Sequence, residues 1–254
     1  MRLMKAPFRR KAPALVRREL LKIDDNIVPV TLRLNTRARR LIVKVHPATG
    51  EVTVVAPSRR ALDEALDFAR GEQDWIARRL AHVPKPITLT PGTAIPYRGV
   101  MHTIRLAPRG PSPVWTSTED GALFLNVGGR AEHAPRRVMD FLKREARRIV
   151  DERAQFYSAS IGVTPSRITM RDTTSRWGSC SSNRVLSFSW RLIFAPEFAL
   201  DYVVAHEVAH LVHMNHGVRF WKLLHAMVPD VERAQSWLGA NATELHRYAP
   251  RVIE

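Results

Sequence analysis

The chain has 254 residues and a single cysteine, Cys180, which excludes an intrachain disulfide framework and a thiolate metal cage. Any metal site must draw on histidine and carboxylate. No apolar run approaches the roughly 20 residues that a bilayer crossing needs. Residues 1–20 scatter arginines where a leader would carry an uninterrupted apolar stretch before a cleavage site. No membrane association is expected, and cytoplasmic residence is the default. Acidic side chains are also scarce: 24 stand against 40 Lys plus Arg, a formal net charge of +16. The excess is uneven, with 23 basic and 11 acidic residues over 1–130 against 17 and 13 over 131–254. Such a potential attracts polyanions in a salt-dependent way; a solvated basic surface without a specific ligand accounts for it equally well.

Three short β-branched stretches, 27–34, 40–45 and 51–56, are predicted to form a small antiparallel meander, the last two joined by a turn at His46 to Gly50. Residues 60–82 place Leu62, Ala65, Leu66, Phe68, Ala69, Trp75, Ile76 and Leu80 near helical spacing, which gives one or two helices over that sheet. The proline-rich segment 84–96 reads as a connection, followed by strands at 100–106 and 122–127. From Pro135 a long helical stripe runs through Val138, Phe141, Leu142, Ala146, Ile149, Val150, Ala154 and Tyr157. Strand-like runs at 168–171 and 185–194 flank Arg176-Trp177-Gly178-Ser179-Cys180 and suggest a hairpin. Helices are then expected after Pro196 and over 218–227 and 230–238.

Four of the ten histidines lie between positions 206 and 216. Residues i and i+4 stack on one helix face, so His206 and His210 can aim their imidazoles at one metal ion. Glu207 then stands beside them as general base for a water activated there. A catalytic zinc takes three protein ligands and keeps a position open. The third is expected to be His216, brought back by a left-handed turn at Asn215 and Gly217. His213 is its rival, but lies two turns or roughly 10 Å from His206 along the helix, which would leave three ligands nearly collinear. It is expected in a supporting or substrate-facing place. Arg176 and Trp177 are candidates for the substrate cleft, although a tryptophan in a hairpin also serves as core. Cys180 reads as a small buried residue rather than a nucleophile.

With these segments in view, the sequence resembles the YgjP-like metallopeptidase-domain family, a relative of the SprT-like and WLM zinc metalloproteases. The resemblance runs from Arg37-Ala38-Arg39-Arg40-Leu41 through Trp75-Ile76, Ser175 to Ser181, Trp190-Arg191-Leu192-Ile193, Ala195-Pro196 and Asp201 to Glu207, to Asn215-His216 and Phe220-Trp221. It implies metal ligands at His206, His210 and His216 and an acid/base at Glu207, the same set that the spacing gives. Two positions depart from the family pattern: Ser189 replaces an asparagine and Gly217 a serine. The related proteases suggest, by analogy, proteins held at DNA as a setting.

The expected fold is therefore α+β: a basic arm over 1–24, a mainly β domain with one or two helices over 25–130, and a zincin-like metallopeptidase domain over 131–254. That last domain pairs the His-Glu-x-x-His helix with a small antiparallel sheet. The expected function is a metallohydrolase with one Zn2+ per chain, cleaving a peptide or protein substrate, with possible nucleic-acid association through the basic first half. Two alternatives remain open: a zinc-dependent phosphoanhydride hydrolase acting on nucleoside triphosphates, and a basic nucleic-acid-binding protein whose metal is structural.

Overall fold

The computed structural model describes residues 16–108, 110–173 and 176–248. The chain divides into two compact units, Met1–Val83 and Pro84–Glu254, so the boundary expected at residue 130 falls instead at the proline-rich segment after Val83. The reason is packing: Ile95, Ile104, Leu125 and Val127 share one apolar cluster with the long helix that follows them. The expected basic arm over 1–24 is corrected where it can be described. Residues 1–15 lie outside the described set, and Val16–Ile23 form a strand.

The first unit holds β1 (Val16–Ile23), β2 (Asn26–Leu34), β3 (Ile42–Val45) and β4 (Val52–Ala56), in the order β1-β2-β4-β3. β2 and β4 are parallel neighbours and the other pairs are antiparallel, so the expected meander is corrected. Val52, Val54 and Ala56 are all completely buried. The most apolar strand thus takes the centre, and the connection after β2 carries the chain past it to β3. The turn closing β3 onto β4 is held by His46, whose Nδ1 accepts from the N–H groups of Ala48 and Thr49 at 3.3 Å each. Three helices rather than one or two follow: α1 (Arg59–Asp63), α2 (Ala65–Gly71) and α3 (Gln73–Ala81). They bury Leu62, Ala65, Ala69 and Ile76 against Val30, Leu32 and the β4 residues.

In the second unit, β5 (Ala94–Tyr97), β6 (Val100–Ala107), β7 (Val114–Glu119) and β8 (Ala122–Gly128) form a sheet in the order β5-β6-β8-β7. Two-residue turns, Arg98-Gly99 and Asp120-Gly121, close its two hairpins. All four turn residues have positive φ, the twist that matches the flanking strands. Next comes α4 (Ala134–Ser160), opened by Pro135 and burying the expected stripe from Val138 to Tyr157, with Phe141 partly covered.

A second sheet contains β9 (Arg167–Arg171), β10 (Gly178–Cys180) and β11 (Val185–Ser189) in the order β10-β11-β9. The two runs expected to make a hairpin, β9 and β11, are instead parallel. A tight turn cannot join a parallel pair; the hairpin is made by β10 and β11. The run 185–194 is a strand only to Ser189. Trp190–Phe194 form a 3-10 helix that is buried throughout, and the Arg191 guanidinium pairs with Asp172 at 2.8 Å and donates to the Tyr248 carbonyl at 2.6 Å. The unit ends with α5 (Glu197–Ala209), α6 (Val218–Met227) and α7 (Val231–Leu245). No helix among the described residues is long and apolar enough to cross a membrane.

Gly99 is the most constrained of these turns. Its φ is +79°, and an added Cβ would lie 2.7 Å from the Pro196 Cα, just before α5. Gly99→Ala is expected to lower stability by about 2 kcal/mol or more, from left-handed strain plus overlap with backbone. Urea unfolding monitored by circular dichroism would check it; an unchanged midpoint would show that the turn does not brace the start of α5.

Candidate metal centre

The site grows from an unusual helix. α5 follows Pro196, carries Glu197 in its first turn where the helix dipole favours an acid, and is apolar nearly all round. Ala199, Leu200, Val203, Val204, Ala205, Val208 and Ala209 are buried, which is the pattern of a helix enclosed by its own domain. Each ionisable residue on it therefore needs a partner. Asp201 has one: Arg153 of α4 clasps its carboxylate with bonds of 2.6 and 2.7 Å. His206, Glu207 and His210 remain; the two histidines meet His216 of the loop that leaves the helix, and Glu207 meets β10.

The ring centroids of His206, His210 and His216 stand 4.7 to 5.0 Å apart. One nitrogen from each lies within 4.8 Å of the others. The Nε2 atoms of His206 and His216 are 3.1 Å apart. Phe220, completely buried on α6, underlies the cluster with its ring 4.6 to 5.0 Å from all three imidazoles. Trp221 flanks His216 at 5.9 Å.

The turn that brings His216 back is not left-handed: Asn215 is absent from the positive-φ residues, and Gly217 has φ −81° as the N-cap of α6. The chain instead leaves α5 through a tightened last turn. Val212 N–H donates to the Ala209 carbonyl at 3.1 Å and His213 N–H to the same oxygen at 2.9 Å. The His213 side chain lies outside the three-imidazole cluster, but its carbonyl faces His210 Nδ1 at 2.9 Å. A carbonyl only accepts, so this contact puts the His210 proton on Nδ1 and frees Nε2 as a lone-pair donor.

Glu207 projects toward β10. An ideal Cβ at Gly178 would sit 2.6 Å from the Glu207 Cγ, so only glycine lets the strand approach this closely. Burial pushes the carboxyl up to about 7, against the nearby Arg176 charge and a bond from the Cys180 N–H, which both favour the carboxylate. Burial, with His210 and His216 adding to it, drives His206 down to about 4. His210 is lowered as well, chiefly by burial. Both rings are thus neutral, the state in which imidazole coordinates a cation. Burial and Glu207 raise the Cys180 thiol, which does not favour a thiolate nucleophile.

Arg176 is exposed and its charge reaches Glu207. Trp177 is half-buried, stacked on His246 at 5.2 Å and 16°, with its carbonyl accepting from the Ser189 N–H. That is a packing environment. Sequence reasoning gave no role to Gly178, Phe220 or Gln235, whose amide donates to the Tyr202 hydroxyl at 3.0 Å. Gly178 did carry a signal, since a glycine inside a strand marks a close backbone approach.

The donor set suits a metal. Zinc bonds of 2.0–2.1 Å at tetrahedral angles put ligand nitrogens roughly 3.3 Å apart. The His206–His216 pair is already close to that spacing, and the third nitrogen is within reach. Three imidazole nitrogens are one donor short of the four that a closed structural site uses.

A family model described as YgjP-like, metallopeptidase domain, matches residues 39–241. The chain belongs to this YgjP-like metallopeptidase family, and the family implies a metal ion. Among solved structures, the chain is similar to the crystal structure of the metallopeptidase zymogen of Pyrococcus abyssi abylysin. Identity is 20%, the match covers 39% of this chain and 97% of that one, and the TM-score is 0.34, a likeness that carries no argument. No curated protein matches.

The contact between Gly178 and Glu207 can be tested by a double-mutant cycle. Gly178→Ala alone is expected to cost about 1–3 kcal/mol of stability by overpacking. In a Glu207→Ala background the same change should cost almost nothing, because the carboxyl that it would strike is gone. Equal costs in both backgrounds, measured by chemical unfolding, would place the conflict elsewhere.

Proposed function

We propose that the chain is a zinc-dependent peptidase of the zincin type, with His206, His210 and His216 as metal ligands and Glu207 as the catalytic acid/base. The observation that carries the reading is the convergence of three imidazoles, two from the end of a largely apolar helix and one from the loop beyond it, with the buried Glu207 carboxyl next to His206 in the chain. Imidazole donors favour zinc over magnesium or calcium, which prefer oxygen. Zinc, when held there, supplies a Lewis acid for the scissile carbonyl and makes water acidic enough to be deprotonated near pH 7.

The chain's own residues supply the rest. Glu207 takes a proton from the attacking water and gives it to the leaving amine as the C–N bond breaks, so proton and bond counts balance over the cycle. Gly178 and the Cys180 N–H fix where that carboxyl stands. Arg176, exposed beside it, offers a positive charge toward a substrate carbonyl or carboxylate, and His213 borders the loop that carries His216. Trp177, next in the chain and packed against His246, is proposed to border the substrate cleft beside Arg176.

The metal reading makes a direct prediction. The purified protein is expected to hold one zinc per chain by elemental analysis, lost with His216→Ala and retained with His213→Ala. Glu207→Gln should keep the zinc, and its turnover of an unfolded protein such as casein should fall about 10²–10⁴-fold. Metal-free wild type after reconstitution, or a Glu207→Gln variant with full turnover, would overturn the proposal.

A polyanion is proposed as a second partner, supported by one feature of the second unit besides the charge of residues 1–130. A groove of about 580 Å³ between α4 and β9 is lined by Lys143, Arg144, Arg147, Arg148 and Arg167, with no carboxylate among its lining residues. Arg147 and Arg148 pair with Asp151 and Glu145 on the same helix, while among the described residues no such pair is formed by Arg144 or Arg167. Duplex DNA is expected to bind with strong salt dependence, and Arg144→Ala with Arg167→Ala should reduce the slope of log K against log salt by about 2. An unchanged slope in fluorescence anisotropy would remove this groove from the account.

A further inference from the structure

Tyr202 stands one turn before His206 on α5 and is buried, while Gln235 is exposed. On one side the hydroxyl oxygen accepts from the Gln235 amide of α7 at 3.0 Å. On the other, it lies 3.4 Å from His206 Nδ1. The remaining nitrogen of that ring, Nε2, faces His216. The arrangement matches that of His210, whose Nδ1 is held by a carbonyl while Nε2 is left for the cluster. The two supports differ in one chemical respect. A carbonyl can only accept, whereas a phenol both donates and accepts, so Tyr202 can serve either neutral tautomer of His206.

Resting on the reading of the three histidines as zinc ligands, we propose that Tyr202, anchored by Gln235, is the positioning residue for His206. In the loaded protein its oxygen accepts a hydrogen bond from the His206 Nδ1–H and so keeps the Nε2 lone pair directed at the metal. A partner of this kind orients the ring and selects the tautomer that can ligate. Gln235 contributes by occupying one lone pair of the phenol and fixing the hydroxyl on the His206 side of α7. Neither residue touches the reacting atoms. Their effect is confined to how well one ligand is presented, and it links α7 to the metal site through two hydrogen bonds.

The test uses the full chain loaded with zinc. Tyr202→Phe keeps the ring and its packing and removes only the hydroxyl. Its zinc dissociation constant, from competition with a chromophoric chelator, is expected to rise about 10–100-fold. Gln235→Leu should shift it in the same direction by less, because the phenol remains but is no longer anchored. Cobalt substitution gives a second readout: the visible absorption bands of the Tyr202→Phe protein should move as His206 reorients, while the melting temperature of the metal-free form stays at the wild-type value. A dissociation constant within twofold of wild type, with unshifted cobalt bands, would overturn the role of Tyr202 and leave the zinc reading standing. A wild-type protein that takes up neither metal would overturn the zinc reading and this inference with it.

Discussion

Desolvation along α5 is the constraint to which the rest of the site answers. A helix with apolar residues on nearly every face has little water to offer its ionisable groups, so each of them is explained by a specific neighbour or left at a cost of several kcal/mol. Asp201 is matched by a forked arginine from α4, a geometry suited to a carboxylate. His206 and His210 meet the constraint by staying neutral. Glu207 meets it only in part, through one backbone N–H and the charge of the exposed Arg176, and burial still pushes its carboxyl up to about 7.

The same constraint explains why the surrounding elements are arranged as they are. Phe220 lies under three imidazole rings, where a polar residue would compete for their nitrogens and a smaller apolar one would leave a cavity. β10 approaches Glu207 at the only residue in the strand without a side chain. Its neighbour Cys180 then supplies a backbone donor at the right level, so the thiol is present for its small volume and not its chemistry. Farther out, Arg191 and Asp172 tie the 3-10 helix before α5 to the segment leading toward Arg176. A buried ion pair of this type adds little net stability but strongly disfavours separation of the two segments.

The long stripe of α4 and the His-Glu-x-x-His spacing on α5 were legible because helical periodicity is local: i, i+3 and i+4 decide it without knowledge of any partner. Strand pairing was not. β2 with β4, β6 with β8 and β9 with β11 are all parallel neighbours joined by long connections, and nothing local distinguishes such a pair from a meander. Of the four strands not expected, β1, β5, β7 and β10, two border the two-residue hairpin turns Arg98-Gly99 and Asp120-Gly121, but Pro96 in β5 and the polar run Thr116 to Glu119 in β7 obscure the alternation. The domain boundary was misplaced for the same reason: Gly128-Gly129 breaks the local pattern, but the apolar faces on its two sides belong to one core.

For the three clustered histidines, sequence spacing and structure agree on which residues meet and differ on how the third returns. The expectation of a left-handed residue came from Asn215 and Gly217 as residue types. The chain achieves the reversal with a tightened helix end and uses Gly217 as a cap with ordinary φ. Its Cβ position is open, with no atom within 4 Å. A serine there would meet no steric objection and would give α6 the side-chain cap that it lacks, an effect of a few tenths of a kcal/mol. The departure from the family pattern at this position therefore bears on the start of α6 and not on the placement of His216, since no conformation reserved for glycine is being used.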